Sequence, residues 1–153
     1  MSLETSVSTD FTDAGMRLVR LPYDDMDWHV DLRATDGDFA ARQDFYVNPR
    51  TLAEFAVGLS SFPKAMGDEV RFEIGAPTGK WAYHVLMRAY LYDAAGHSAL
   101  EFVVNNRGAP PVRRQSSFHI VCEAAAINRL GAEFQSWLPE PTIPFVWRPL
   151  TRP

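Results

Sequence analysis

Lysine is nearly missing from this chain, cysteine occurs once, and no apolar stretch approaches a membrane span. Two lysines stand against thirteen arginines, a bias read as genome composition before function. The lone Cys122 excludes an internal disulfide framework and fits a reducing compartment. No apolar run reaches the ~20 residues that cross a bilayer. The first fifteen residues lack the basic start and apolar core of a signal peptide. Cytoplasmic residence without a membrane is therefore expected. Metal motifs are missing too: His29, His84, His97 and His119 show no HxxxH or HxH spacing, and there is no CxxC. Gly75-Ala76-Pro77-Thr78-Gly79-Lys80 lacks the spacing and the Gly-Lys-Ser/Thr ending of a phosphate loop, because Trp81 follows Lys80. It reads as a turn. No catalytic residue, metal or cofactor is expected.

What is present is one domain's worth of chain. At 153 residues it can bury roughly 68–70% of its unfolded surface without a staple. Its hydrophobic fraction, 46%, is that of an ordinary globular protein. The net charge of −4 is uneven: residues 1–44 hold ten acids and four arginines, whereas 45–153 hold nine acids and eleven bases. An acidic chain is a poor match for phosphate backbones, so nucleic acid is not an expected partner.

The pattern divides into a flexible segment over 1–15, a single α+β domain over 16–138, and a Pro-rich tail over 139–153. Met16 to Tyr23 reads as a short strand. Asp36-Gly37 is a two-residue hairpin signal of type I′. Pairing outward sets Ala34 against Phe39, Leu32 against Ala41, Val30 against Gln43 and Trp28 against Phe45. The other face then carries Asp31 with Arg42 and His29 with Asp44. Asn48 reads as a helix N-cap and Pro49 as the first helical residue. Leu52, Phe55, Ala56, Leu59 and Phe62 form that helix's apolar stripe, and Pro63 ends it.

Residues 69–75 alternate as a half-buried strand. Residues 81–92 and 98–105 form a second hairpin around Asp93-Ala94-Ala95-Gly96, with Arg88 opposite Glu101 and Met87 opposite Phe102. A last strand over 115–121 leads into a helix near 123–138. The tail has five prolines in fifteen residues, so it cannot be helix or a central strand. Its Ile143, Phe145, Val146 and Trp147 pack it on the body or on a neighbouring copy. The order is βββαββββα: an antiparallel sheet of about six or seven strands with two helices on one face.

Two surfaces stand out as partner-binding candidates. Asp24, Asp25, Asp27 and Asp31 form the densest charge group. They sit in a turn and on a solvated strand face, without the spacing of a calcium loop. Such an acidic edge suits a basic partner. Arg88, Tyr90 and Tyr92 lie on the polar face of the second hairpin, and Tyr and Arg are enriched at interfaces. Arg107, Arg113 and Arg114 flank a Gly-Ala-Pro-Pro loop that can meet an anion. Cys122 stands at a strand-to-helix junction, where a helix N-terminus lowers a thiol pKa, although most lone cysteines are buried apolar groups.

The run DFYVNPRTLAEFAVGLSSF, then AYHVLMRAYLYDAAGHSALEFVV, then SFHIVCEAAAINRLGAEFQSWL, resembles the WapI-like immunity proteins of bacterial polymorphic toxin systems over roughly residues 26–138. The N-terminal extension and the Pro-rich tail depart from that outline. The resemblance implies a non-enzymatic cytoplasmic antidote that occludes a toxin, with the acidic first third meeting a basic toxin domain. It brings no catalytic residues. The alternative is a small-molecule binder or enzyme with a cavity between sheet and helices, lined by Met87, Phe102, Trp28 and Phe45. A third reading is a homo-oligomer that uses the tail as an arm.

Overall fold

The computed structural model describes residues 13–22 and 26–149. In chain order these form β1 (Gly15–Arg20), β2 (Trp28–Thr35), β3 (Ala40–Val47), α1 (Pro49–Ser60), β4 (Glu69–Gly75), β5 (His84–Leu91), β6 (Ser98–Asn105), β7 (Gln115–Cys122), α2 (Ala124–Trp137) and β8 (Phe145–Trp147). The α+β class and the element order are as expected, with β8 added at the end. The single sheet is not what forms. There are two four-stranded antiparallel sheets, ordered β3-β2-β1-β8 and β4-β5-β6-β7. Hairpin signals specify only local pairs. The step from β3 through α1 to β4 is a crossover, and it takes the chain into a separate sheet.

Both sheets and both helices share one core. Phe45 of β3, Phe55 of α1 and Phe72 of β4 meet with ring centroids 5.6–6.0 Å apart. Phe134 and Trp137 of α2 close on Phe145 of β8 at 5.0 and 5.7 Å, and Trp28 of β2 meets Trp137 edge-on at 6.2 Å. Met87, Phe102 and Phe45, expected around a cavity, are fully buried within this cluster.

The helices start and stop for legible reasons. The Asn48 side chain accepts a 2.8 Å bond from the Arg50 N–H, with Pro49 as the first helical residue. Leu52, Phe55, Ala56 and Leu59 are its buried stripe. At the other end of α1, Asn128 of α2 reaches across. Its side-chain amide donates to the carbonyls of Leu59 and Phe62, at 3.0 and 2.6 Å. These are end groups that no helical N–H can satisfy. Replacing Asn128 with Ala should cost about 1–2 kcal/mol, because the Phe62 carbonyl loses its donor and the Leu59 carbonyl keeps only the 3.3 Å bond from the Phe62 N–H. Urea denaturation measures it, and an unchanged midpoint would refute the capping role.

The second hairpin holds the expected register, with Arg88 opposite Glu101 and Met87 opposite Phe102. The first is shifted by two residues: Ala34 faces Ala41 and Val30 faces Phe45. The loop is four residues, 36–39, rather than two. Asp36 Oδ1 accepts from the N–H groups of Asp38 and Phe39, both at 2.8 Å, and Thr35 Oγ1 donates to the Phe39 carbonyl at 2.7 Å. These side-chain bonds outcompete the two-residue turn. A shift of two keeps every side chain on its expected face. Phe39 alone loses its place and sits at the loop tip, 66% exposed.

The tail packs on the body of its own chain. β8 pairs with β1 of the same chain, setting Met16 against Trp147 and Leu18 against Phe145. Trp147 is 1% exposed, and its indole N–H donates to the Ala126 carbonyl at 3.1 Å. Prolines at 144 and 149 bracket a three-residue edge strand, a position that tolerates them.

Candidate functional site

β5 alternates Met87 and Ala89 inward with Arg88 and Tyr90 outward, and Tyr92 continues the outward row just past the strand. The structure thus brings together the three residues read as one surface. Arg88 stands opposite Glu101 of β6, and its Nε donates to that carboxylate at 2.7 Å. Its Nη1 donates to Glu69 of β4 at 3.1 Å. The guanidinium lies over the Tyr90 ring, 4.0 Å from the centroid. Tyr90 reaches over β6 to His119 of β7, with the hydroxyl 2.7 Å from Nδ1. Burial works against the Arg88 cation, but Glu101 and then Glu69 outweigh it and hold its pKa above the usual value. Burial also raises the Tyr90 hydroxyl pKa; Arg88 opposes that shift and Glu101 adds to it. This is a linked, immobilised surface running across all four strands. Tyr92 stands at its rim, 48% exposed and stacked on His97 at 5.9 Å, and Val121 is exposed on β7.

A second pair closes the opposite end of that face. His84 Nε2 lies 2.7 Å from Glu73 Oε2, and His84 is buried. The hydrogen bond from His84, helped by Arg71, lowers the Glu73 pKa below its ordinary 4.5 despite partial burial. A carboxylate held down in the folded state contributes stability that is complete above its unfolded value and lost as pH falls through the folded one. Substituting Ala for His84 should therefore raise the Glu73 midpoint toward 4.5 and lessen the acid sensitivity of folding. Carbon-detected NMR titration of the side-chain carboxyl checks this; an unmoved midpoint would contradict the assignment.

The acidic candidates fare differently. Asp24 and Asp25 lie outside the described residues. Asp27 is exposed just before β2. Asp31 is not solvated as expected. It is 6% exposed, with Oδ1 2.8 Å from Arg42 Nε and Oδ2 3.5 Å from Arg33 Nε. The register explains why: β2 is an interior strand, so its outward carboxylate is flanked by long side chains on both sides. Asp44 is engaged by His29 at 2.8 Å, which lowers its pKa.

Sequence reasoning missed what surrounds Asp31. Arg17, Arg33 and Arg42 stand directly opposite one another across β1, β2 and β3. The signal was the register, which no single strand reveals.

The loop arginine Arg107 and Cys122 are held as follows. Arg107 of the Gly-Ala-Pro-Pro loop donates to the carbonyls of Pro77 and Gly79, tying that loop to the 75–79 turn instead of offering its charge to an anion. Cys122 lies in a cleft of about 730 Å3 between the 92–97 turn and the start of α2, with Tyr92, His97, Ser98 and Arg129 also on its walls. Burial pushes the thiol up to about 11, against the pull of Arg129, so a reactive thiolate is not favoured there. Among the described residues, no group of three or more His, Cys, Asp or Glu is placed to hold a metal ion, and no helix is long and apolar enough to cross a membrane.

No family model matches the chain, and no curated protein matches it. Among solved structures it is similar to one described as the plant transcriptional regulator PBF-2, at 12% identity and a TM-score of 0.48, over 83% of this chain and 76% of that one.

Proposed function

We propose that this protein acts by binding another protein, without chemistry of its own, and that the most specific form of this role is a cytoplasmic immunity protein that occludes a toxin. The observation that carries the reading is the Arg88–Tyr90–His119 face. Its aromatic and cationic groups are already fixed by Glu69, Glu101 and their mutual contacts. Docking on such a surface immobilises few side chains, which is where association loses much of its free energy. Tyr92 and Val121 add exposed apolar area at its edge. The resemblance to WapI-like immunity proteins names the partner class. Because Asp31 is neutralised by arginines, attraction to a basic toxin rests on Asp24, Asp25 and Asp27.

The test is retention of proteins from the source organism's lysate and secreted fraction on the immobilised chain, compared with Tyr92→Ala and Val121→Asp variants. One stoichiometric partner, weakened about tenfold or more by either exposed substitution, is the expected result. Equal retention by all three chains would remove this face from the proposal.

The second reading, a small-molecule binder, is favoured by the cleft at the start of α2. It is of ligand size, with Tyr92, His97, Ser98 and Arg129 supplying polar groups beside apolar walls. A small molecule co-purifying with the protein, displaced by Arg129→Ala and not by His119→Ala, which lies on the Arg88–Tyr90 face outside the cleft, would favour it over protein binding.

A further inference from the structure

We propose that the outer face of β1, β2 and β3 binds a small polyanion of the diphosphate class through Arg17, Arg33 and Arg42. The register places the three guanidinium-bearing residues in one cross-strand row. Like charges directly opposite one another oppose sheet formation, so such a row needs compensation. The structure supplies only part of it. Among the described residues, Asp31 is the one carboxylate within ion-pair distance of the row, and it is shared between Arg33 and Arg42. Asp44, its cross-strand neighbour, is committed to His29. Arg17 forms no ion pair among the described residues. The Nε atoms of Arg17 and Arg33 are shut off from solvent without a hydrogen-bond acceptor there. Buried donors without acceptors are costly, and in native proteins they mark strain, function or a bound group.

The row is also open. The side chains of Arg33 and Arg42 are 39% and 58% exposed, so a solute reaches them. Asp31 beneath holds two of the forks in place, which preorganises them. Arginine forks match tetrahedral oxyanions bidentately, better than they match a point charge. Directly opposite residues are ~5 Å apart, so three in a row span ~10 Å. That length suits two linked phosphoryl groups better than one. Among the described residues, three cations face Asp31 and the nearby Asp44, which also feels Arg42, and the remaining positive excess favours an anion.

The experiment is calorimetric titration of the full chain with inorganic pyrophosphate at low ionic strength, with orthophosphate in parallel. Saturable one-to-one binding with a Kd of about 1 mM or tighter is expected. Arg17→Ala should weaken it by about tenfold or more, as loss of a charge-assisted bond implies. Arg17→Lys, which keeps the charge and loses the fork, should weaken it as well. Arg114→Ala, on the loop before β7, should leave it unchanged. Pyrophosphate should raise the thermal midpoint where sodium chloride of equal ionic strength does not. If Arg17→Ala fails to fold, Arg17→Lys and the wild-type thermal shift decide the matter. Orthophosphate binding as tightly as pyrophosphate would overturn the diphosphate assignment. Unsaturable heats, or equal weakening by Arg114→Ala, would overturn the site.

Discussion

Cutting the chain after Leu138 should leave it largely unfolded. The deletion removes Phe145 and Trp147, both buried, and with them the strand that pairs with β1. Losing a large buried aromatic costs about 3–5 kcal/mol. Two such losses rival the whole stability of a domain, about 5–15 kcal/mol. The damage extends to what they covered. Phe134 and Trp137 lose their stacking partner, and the Ala126 carbonyl loses its indole donor. Circular dichroism across a urea series is the measurement. No cooperative transition, or one with its midpoint far below that of the full chain, is expected. A truncated chain that unfolds at the full-length midpoint would mean that the tail adds nothing to the core. Trp147→Phe keeps one aromatic ring but loses the indole donor and part of the buried volume, so a smaller loss of about 1–3 kcal/mol is expected.

Gly131→Ala should also be strongly destabilising, against the direction of helix propensity. In an exposed helix interior this change gains up to about 1 kcal/mol. At Gly131 of α2, a new Cβ would lie 2.5 Å from the Ser60 nitrogen and 2.6 Å from the Ala56 oxygen, both backbone atoms of α1. Backbone cannot step aside as a side-chain tip can. The helices must part, loosening the stripes that cover both sheets. Overpacking of this kind costs about 1–3 kcal/mol, and the upper end is expected because the clash is with main chain. Gly58→Ala is the control. Its Cβ would meet a Val70 methyl at 2.8 Å, which a rotamer change relieves. Equal losses at the two positions would show that close helix approach is not what Gly131 provides.

These two sites mark where sequence reading ends. The start of α1 was legible because Asn48-Pro49 specifies its own geometry within three residues. The second hairpin was legible because Asp93 and Gly96 act within one turn: Asp93 Oδ1 accepts from the N–H groups of Ala95 and His97, and Gly96 takes φ +87°. The first hairpin slipped by two because Thr35 and Asp36 could favour either loop, and only their hydrogen bonds decide between them. The division into two sheets, the docking of β8 on β1 and the Gly131 crossing all join residues far apart in sequence. No local period records such contacts.

The candidate surfaces follow the same rule. Arg88, Tyr90 and Tyr92 were found together because they share one strand's alternation. His119 and Glu69, which complete that face, came from other strands. Asp31 was assigned correctly to the outward face, but its burial depends on arginines supplied by β2 and β3 in a register that the sequence does not display.

The pairing of β1 with β8 has one more consequence. The first and last strands are antiparallel neighbours, and Trp147, the last residue of β8, sits opposite Met16, the second of β1. The fold is therefore nearly a closed circle cut at that point. Joined there by a short linker, the two strands would form an ordinary hairpin. A new start could then open at an exposed turn such as 93–96 while every ladder of both sheets stays intact. For this architecture, the point at which the circle of strands is opened is close to arbitrary.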